Sequence, residues 1–574
     1  MVDYTIPNEG TVTGAAGTDR LTYTIDSAGG VVLAGMTGSL ATGYSGVFDG
    51  PDTLDGTFSG IENISYIDNA GGDDSIATLG GEDSIRAGGG NDTVSTGGGN
   101  DSIQGGDGND DLSGGSGNDN LDGGIGSDGL FGGAGFDALY SNLDGIDILD
   151  GGDDFDTLFL VNGGTQAITM NSSAISSGAG TIFYSGIESF IMNGSTVADI
   201  LTTGANGDWV NAKDGDDSVR GGGGNDNLLG DIGNDTVLGD GGDDKIYGGN
   251  GNDSLVGGSG LNEIYGGDGN DLILGGNGAV KLEGGDGDDT INGGTGFFEL
   301  EGGDGLDMLV VDFSARTGGV FLDMGNKFIY QPSNRGYIKD MEGVEVTSGS
   351  GSDKIKTNAE FAMDDIVRTG GGNDFVTINL KGDDLVAAGA GEDRLTLNAT
   401  DAVNGVTFSM TTATASGFSG TASDTVNSVE VSGINSLTFK GLGGNDSIAS
   451  ADGADRLTGA GGDDFLAAGR GSDRLYGDAG NDTIVGGTGN DFLHGGTGID
   501  VFTFNKNGNS GIDRIYDFED GIDLIRIVEG SMAGIQSKVT VNDDDTRITF
   551  TNGSVLTLEN VDKADITLAD FLFV

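Results

Sequence analysis

Residues 105–124 read GGDGNDDLSGGSGNDNLDGG. Eight of these twenty positions are glycine and five are aspartate. Glycine loses more conformational freedom on ordering than any other residue, and neighbouring carboxylates repel one another. Such a stretch holds a fold only if something beyond its own side chains supplies free energy. A register runs through it nonetheless: Asp110 and Asp119 stand nine apart, and each is followed two residues later by a leucine, Leu112 and Leu121.

The register extends in both directions. One aspartate position recurs every nine residues at Asp74, Asp83, Asp92, Asp101, Asp110, Asp119, Asp128 and Asp137. The second residue after each is apolar: Ile76, Ile85, Val94, Ile103, Leu112, Leu121, Leu130 and Leu139. The unit is G-G-x-G-x-D-x-U-x, with U apolar. Its D-x-U-x part suits a short strand whose one apolar side chain points inward. The six glycine-rich residues suit a reversal, because glycine adopts positive φ at little cost. Two units then make one 18-residue turn of a flattened, right-handed solenoid, with turns stacked about 4.8 Å apart. Stacking brings aspartates 18 apart, such as Asp92 and Asp110, to one edge. Each pair, with nearby loop carbonyls, encloses an oxygen-lined pocket. A hard cation with roughly six to eight oxygen ligands fits there, and calcium suits it better than octahedral magnesium. Ion binding then becomes part of the folding free energy.

Three more arrays follow. The second holds Asp208, Asp217, Asp226, Asp235, Asp244, Asp253, Asp271, Asp289 and Asp307. The third is short and irregular, with Asp353, Asp365, Asp374, Asp383 and Asp393, of which Asp374 and Asp383 are read as ligands. The fourth holds Asp446, Asp455, Asp464, Asp473, Asp482, Asp491 and Asp500. With the first array these are the expected metal ligands, and their pairing at 18 implies roughly 15–20 calcium ions. In the second array one edge decays to Asn262, Val280 and Phe298, beside Leu261, Ala279 and Phe297. That apolar ridge is expected to be covered, by a neighbouring β-module or by a partner.

The nonapeptide resembles the RTX (haemolysin-type calcium-binding repeat) family. The fold class expected is all-β: right-handed parallel β-roll (RTX solenoid) arrays separated by non-repetitive β-modules. The boundaries read as an N-terminal β-module 1–70, roll 71–158, β-module 159–203, roll 204–311, β-module 312–351, short irregular roll 352–397, β-module 398–440, roll 441–503 and a C-terminal β cap 504–574. Four segments start on a D-x-φ-x-φ pattern: DRLTY at 19–23, DTLFL at 156–160, DMLVV at 307–311 and DRLTL at 393–397. They return on a strand with an apolar–Glu pair: GIENI at 60–64, GIESF at 186–190, GVEV at 343–346 and SVEV at 428–431.

After Asp500 the text DVFTFNKNGNSGIDRIYDFEDGIDLIRI is similar to the C-terminal segment of serralysin-like RTX proteins. The closing ADFLFV looks like an uncleaved type I secretion signal, although DFLFV also reads as an ordinary last strand. The opening MVDYTIPNEG has neither a basic region nor an apolar core, so a cleaved leader is not expected. The resemblance implies export through the type I secretion machinery of a Gram-negative bacterium, to the medium or the cell surface, where calcium is plentiful.

Composition narrows the classes. With 92 acids against 25 bases the formal charge is −67, which repels nucleic acid and anionic membranes. No window approaches 18 apolar residues, so no membrane span is expected. The absence of cysteine removes disulfides, thiolate metal sites and a thiol nucleophile. The single histidine, His494, closes a repeat unit and reads as an outward roll residue. One histidine and no H-E-x-x-H exclude a serralysin-type zinc site, and no credible Ser-His-Asp constellation is read around His494. No repeat-free stretch exceeds about 70 residues, too short for a catalytic domain. The expectation is therefore no enzyme, but a secreted calcium-dependent structural component of the cell surface, surface layer or matrix. The alternatives are an adhesin or glycan-binding protein, and an accessory to another exported factor.

Overall fold

The computed structural model describes residues from 71 onward except 162–163, 279, 295–297, 331–334, 359–362, 400–404, 415–416, 506–509, 529–538, 543–544, 551 and 574; before 71 it describes the strand backbones at 2–5, 10–13, 19–25, 32–39, 43–49, 56–61 and 63–68. The chain forms two compact units, Met1–Gly287 and Asp288–Val574.

In the first unit, alternate strands of the nonapeptide go to two parallel sheets. Ser84–Gly89, Ser102–Asp107, Asn120–Ile125 and Ala138–Ser141 stack in one. Ser75–Ala77, Thr93–Gly98, Asp111–Ser116 and Gly129–Ala134 stack in the other. Partners are 18 apart, as in Val94↔Leu112 and Ile103↔Leu121, so each turn of the solenoid takes two units. The U residues face inward between the sheets: Ile85, Val94, Ile103, Leu112, Leu121 and Leu130 are all 2% exposed or less. The core is thus one thin file of branched side chains per sheet.

The strands are longer than D-x-U-x. Most run six residues and include the glycine pair, with Gly106↔Gly124 and Gly115↔Gly133 in register. The reversal is left to three residues, such as 117–119. Glycine is needed there for a second reason besides φ. Gly108 has φ +139, and a Cβ on it would come within 1.6 Å of the Gly90 carbonyl oxygen. Each turn lies directly on the backbone of the turn before.

The glycine-poorer stretches do not end the ladders. Thr157–Leu160 pairs in parallel with Ser189–Asn193, Leu158 opposite Phe190. The chain between them adds Thr169–Asn171, Ala174–Ser176 and Thr181–Ser185 as antiparallel neighbours, and the last pairs back to Ile146–Asp153. The stretch is one oversized turn carrying a hairpin. The N-terminal strands repeat the plan: Asp19–Ile25 pairs in parallel with Asn63–Asp68, and three antiparallel strands lie between them in sequence.

The second unit is built alike. Met308–Asp312 pairs with Gly343–Thr347, and Arg394–Asn398 with Ser436–Lys440. The file Leu457, Leu475, Leu493 marks the fourth array. Ile512–Ile515 and Leu524–Val528 extend the two sheets. Phe571–Phe573 then pairs in parallel with Leu524–Val528, so the terminal FLF is an ordered strand. Among the described residues there is no α-helix, hence none long and apolar enough to cross a membrane. Of the expected apolar ridge, Leu261 is 56% exposed and Asn262 buried. Ala279, Phe297 and the side chains of Val280 and Phe298 lie outside the described residues.

Candidate metal centres

Every aspartate expected as a ligand, Asp383 excepted, is 4% exposed or less. The carboxylates are held in files along the edges of the roll. The N–H of Asp92 donates to Asp110 Oδ1 (2.8 Å), and that of Asp110 to Asp128 Oδ1 (2.9 Å). On the other edge Asp101 donates to Asp119, and Asp119 to Asp137, both at 2.8 Å. Asp208, Asp226 and Asp244 continue the pattern, as do Asp217, Asp235, Asp253 and Asp271. In the second unit it joins Asp446, Asp464, Asp482 and Asp500, and on the opposite edge Asp455, Asp473 and Asp491.

One oxygen of each carboxylate is thereby occupied. Oδ2 of Asp110, Asp119, Asp226, Asp235, Asp464 and Asp482 is buried with no hydrogen-bond partner. It lies over the first glycine of its own repeat, where a side chain would collide with it. A Cβ on Gly105 would stand 2.2 Å from Asp110 Oδ2 and 2.6 Å from the Gly123 carbonyl oxygen. Gly230, Gly248 and Gly477 repeat this with Asp235, Asp253 and Asp482. A bare carboxylate oxygen and a carbonyl oxygen thus crowd one spot, an arrangement that is repulsive without a cation and complementary with one. Among the described residues no three Asp, Glu or His side chains converge, so main-chain oxygens must complete any coordination sphere. Hard oxygen donors in this mixture select calcium. The donor set fits the ion, which would supply the positive charge that these oxygens lack.

Residues 68–103, 104–139, 202–237, 229–264, 265–297, 380–401, 438–466 and 467–502 match the RTX calcium-binding nonapeptide repeat. The chain carries RTX calcium-binding nonapeptide repeats. Among solved structures, the extracellular lipase LipA from Serratia marcescens aligns at 18% identity and a TM-score of 0.16. The alignment covers 53% of this chain and 40% of the lipase. A search of curated proteins finds no match.

The RTX units are not all alike, and the first residue of the repeat sorts them. Where it is glycine the cradle is open. Where it is Thr or Ser, the hydroxyl donates to the carbonyl that elsewhere faces the aspartate. Thr96 donates to Gly114 O (3.0 Å), Thr203 to Gly221 O (2.6 Å), Thr369 to Ala388 O (2.8 Å) and Ser450 to Ala468 O (2.9 Å). The cradles of Asp101, Asp208, Asp374 and Asp455 are therefore partly filled. At Asn262 the edge keeps its hydrogen bond, from Asp244 N–H at 2.9 Å, and places a neutral amide in the cradle over Gly257.

The third array needs a correction of one residue. Asp383 is exposed, and the buried position in register is Asp384, which accepts from the N–H of Asp365 (2.8 Å). A longer spacing, 19 from Asp365, hid it. The same cause hid Asp147 and Asp156, which follow Asp128 and Asp137 by 19, and Asp513 and Asp523, which follow Asp491 and Asp500 by 22 and 23. The files close on other residues where an oversized turn begins: Asp156 N–H donates to Glu188, Asp307 N–H to Glu342 and Asp393 N–H to Asn435, all at 2.9 Å.

A second file, unread in the sequence, runs in the opposite sense. The residue before each aspartate donates its N–H to the side chain one turn back: Asn109 to Asn91 Oδ1 (2.9 Å) and Asn118 to Asn100 Oδ1 (2.8 Å). The frequent Asn-Asp pair in the sequence was its signal. Burial raises the carboxyls with no ion present, to about 6 at Asp110 and about 7 at Asp119, Asp226 and Asp464.

Proposed function

We propose that this RTX protein leaves the cell unfolded and acquires its rolls outside, on calcium, as a structural component of the cell surface. The observation carrying this reading is the row of buried, unpartnered Oδ2 atoms at Asp110, Asp119, Asp226, Asp235, Asp464 and Asp482. Without a cation each such oxygen opposes folding; with one it joins turn to turn. Calcium is scarce inside cells and near millimolar outside, in the range of weak extracellular sites. Roughly 15–20 ions would serve the open cradles. The serralysin-like segment and the closing ADFLFV support export by the type I route.

Circular dichroism with chelator, calcium or magnesium tests the folding step. A cooperative gain of β signal with calcium, and little with equal magnesium, is expected; native-like signal in excess chelator would sink the reading. Removal of Asp570–Val574 tests export, with retention inside a secreting host expected. Since Phe571–Phe573 forms only the last rung, calcium-induced folding should survive that deletion. Electron microscopy with and without calcium tests the surface role, with ordered sheets expected only with calcium.

A further inference from the structure

One sheet face in Asp288–Val574 departs from the rest of the chain in charge. Its strands Phe375–Asn379, Arg394–Asn398, Ser436–Lys440 and Arg456–Gly461 lie side by side. They hold no aspartate or glutamate but three cations, Arg394, Lys440 and Arg456, in a chain with 92 acids and 25 bases. Three arginines of this sheet lie against aromatic rings. Arg394 lies 5.5 Å from the ring centre of Phe375, Arg456 4.3 Å from Tyr476 and Arg474 5.5 Å from Phe492. Among the described residues Arg394, Arg456 and Arg474 have no carboxylate within ion-pair distance, whereas Arg368 and Arg514 do.

A shallow cavity of about 350 Å³ opens beside the row, lined by Asn373, Phe375, Glu392, Arg394, Asn435 and Ser436 among others. Phe375 is 46% exposed. The amide oxygens of Asn373 and Asn435 are taken by the N–H groups of Glu392 (3.0 Å) and Asp393 (2.9 Å), which turns their NH2 ends to other acceptors. A flat ring, a guanidinium, two amide donors and two acidic residues, exposed Glu392 and buried Asp393, therefore share one opening.

We infer that this face binds an acidic polysaccharide, one bearing a carboxylate on a pyranose ring. The C–H face of the sugar packs on Phe375. Its carboxylate pairs with Arg394, whose planar fork matches two oxygens at once. Hydroxyls bond to Asn373, Asn435 and Glu392. The polymer then runs along the sheet toward Arg456 and Arg474. A neutral glycan would leave the guanidinium groups unanswered. The inference gives the surface role proposed above a ligand, and it rests on that reading only in requiring the calcium-loaded fold.

Calorimetric titration of the full-length calcium-loaded protein with a hyaluronan octasaccharide tests it, beside maltooctaose and an oligothymidylate of equal charge. Saturable binding of hyaluronan alone is expected. Phe375→Ala and Arg394→Gln should each weaken it about tenfold or more. Arg86→Gln, on a sheet face of the first unit beside Gln104, should leave it unchanged. Absence of saturable binding, equal binding of maltooctaose or oligothymidylate, or unchanged affinity in both site variants would overturn the site. Circular dichroism of the same samples reports the fold separately, so a folded protein that ignores hyaluronan removes the site and leaves calcium-driven folding standing.

Discussion

Asp110 touches both neighbouring turns, accepting from Asp92 N–H and donating to Asp128. Asp111 is exposed, and its N–H joins the backbone ladder at the Asp92 carbonyl (2.8 Å). Replacing Asp110 by Ala leaves the Asp92 amide buried without an acceptor and removes a cradle oxygen. A loss of about 1–3 kcal/mol is expected in the first array. Asp111→Ala should change stability by less than about 0.5 kcal/mol. Asp74 is the first aspartate of the regular register and accepts from the Tyr66 hydroxyl (2.7 Å), so its loss should mainly loosen the entry to the array. Hydrogen exchange over residues 71–160 during a calcium titration distinguishes the three; equal losses at Asp110 and Asp111 would show the register to be off by one. The cradle gives a reciprocal pair of variants. Gly105→Thr should close the site of Asp110 as Thr96 narrows that of Asp101, and Thr96→Gly should open one. Ions counted in crystals of the two variants should differ from the parent by one in opposite senses.

Among elements, the nine-residue register made every regular strand legible, because one branched residue per unit at a fixed place is enough to define the core file. What the sequence obscured lies where the spacing slips. Between Asp365 and Asp384 one extra residue enters a reversal, and counting by nine lands on exposed Asp383. Asp384→Ala should therefore weaken calcium-induced protection of residues 366–398 far more than Asp383→Ala, as exchange across that segment would report. The stretches read as separate β-modules looked foreign because their hairpins lack the nonapeptide. The DTLFL and GIESF segments, noted only as similar edges, supply strands that pair with each other. Pattern similarity marked the ends of an oversized turn, but pairing at a distance of 32 leaves no local trace. Glu188 stood in the apolar–Glu pair of GIESF without its role showing, and Glu342 and Asn435 went unread for a related reason: longer or neutral side chains stand in for aspartate where the turn length changes.

For the whole molecule, acidity sets the terms. Burial lifts Asp119, Asp217 and Asp307 to about 7 and Asp384 to about 8 with no ion bound, against an ordinary value near 3.8 in the unfolded chain. Between those limits the fold holds protons that the unfolded chain has released. The stability contributed by those protons is complete below pH of about 4 and is lost as pH rises through about 7. In excess chelator, β signal should therefore be greater at pH 4.5 than at pH 8 by roughly the amount that protons replace calcium. With calcium present the dependence reverses below pH of about 6, since protons and the ion compete for the same oxygens. A pH series of calcium titrations checks both arms; calcium-free signal that rises with pH would contradict the burial of these groups.

Among the described residues of the regular arrays, the ladder bonds join each turn to the next at a spacing of 18. Held by its two ends and stretched, a roll of this kind has no distant contact to share the load. It should yield rung after rung, each release paying out about 60 Å of contour for 18 residues. The oversized turn between Leu158 and Phe190 would pay out about 110 Å instead. A force–extension trace in calcium should thus be a comb of evenly spaced teeth broken by wide gaps, and the gaps would map the hairpins along the chain.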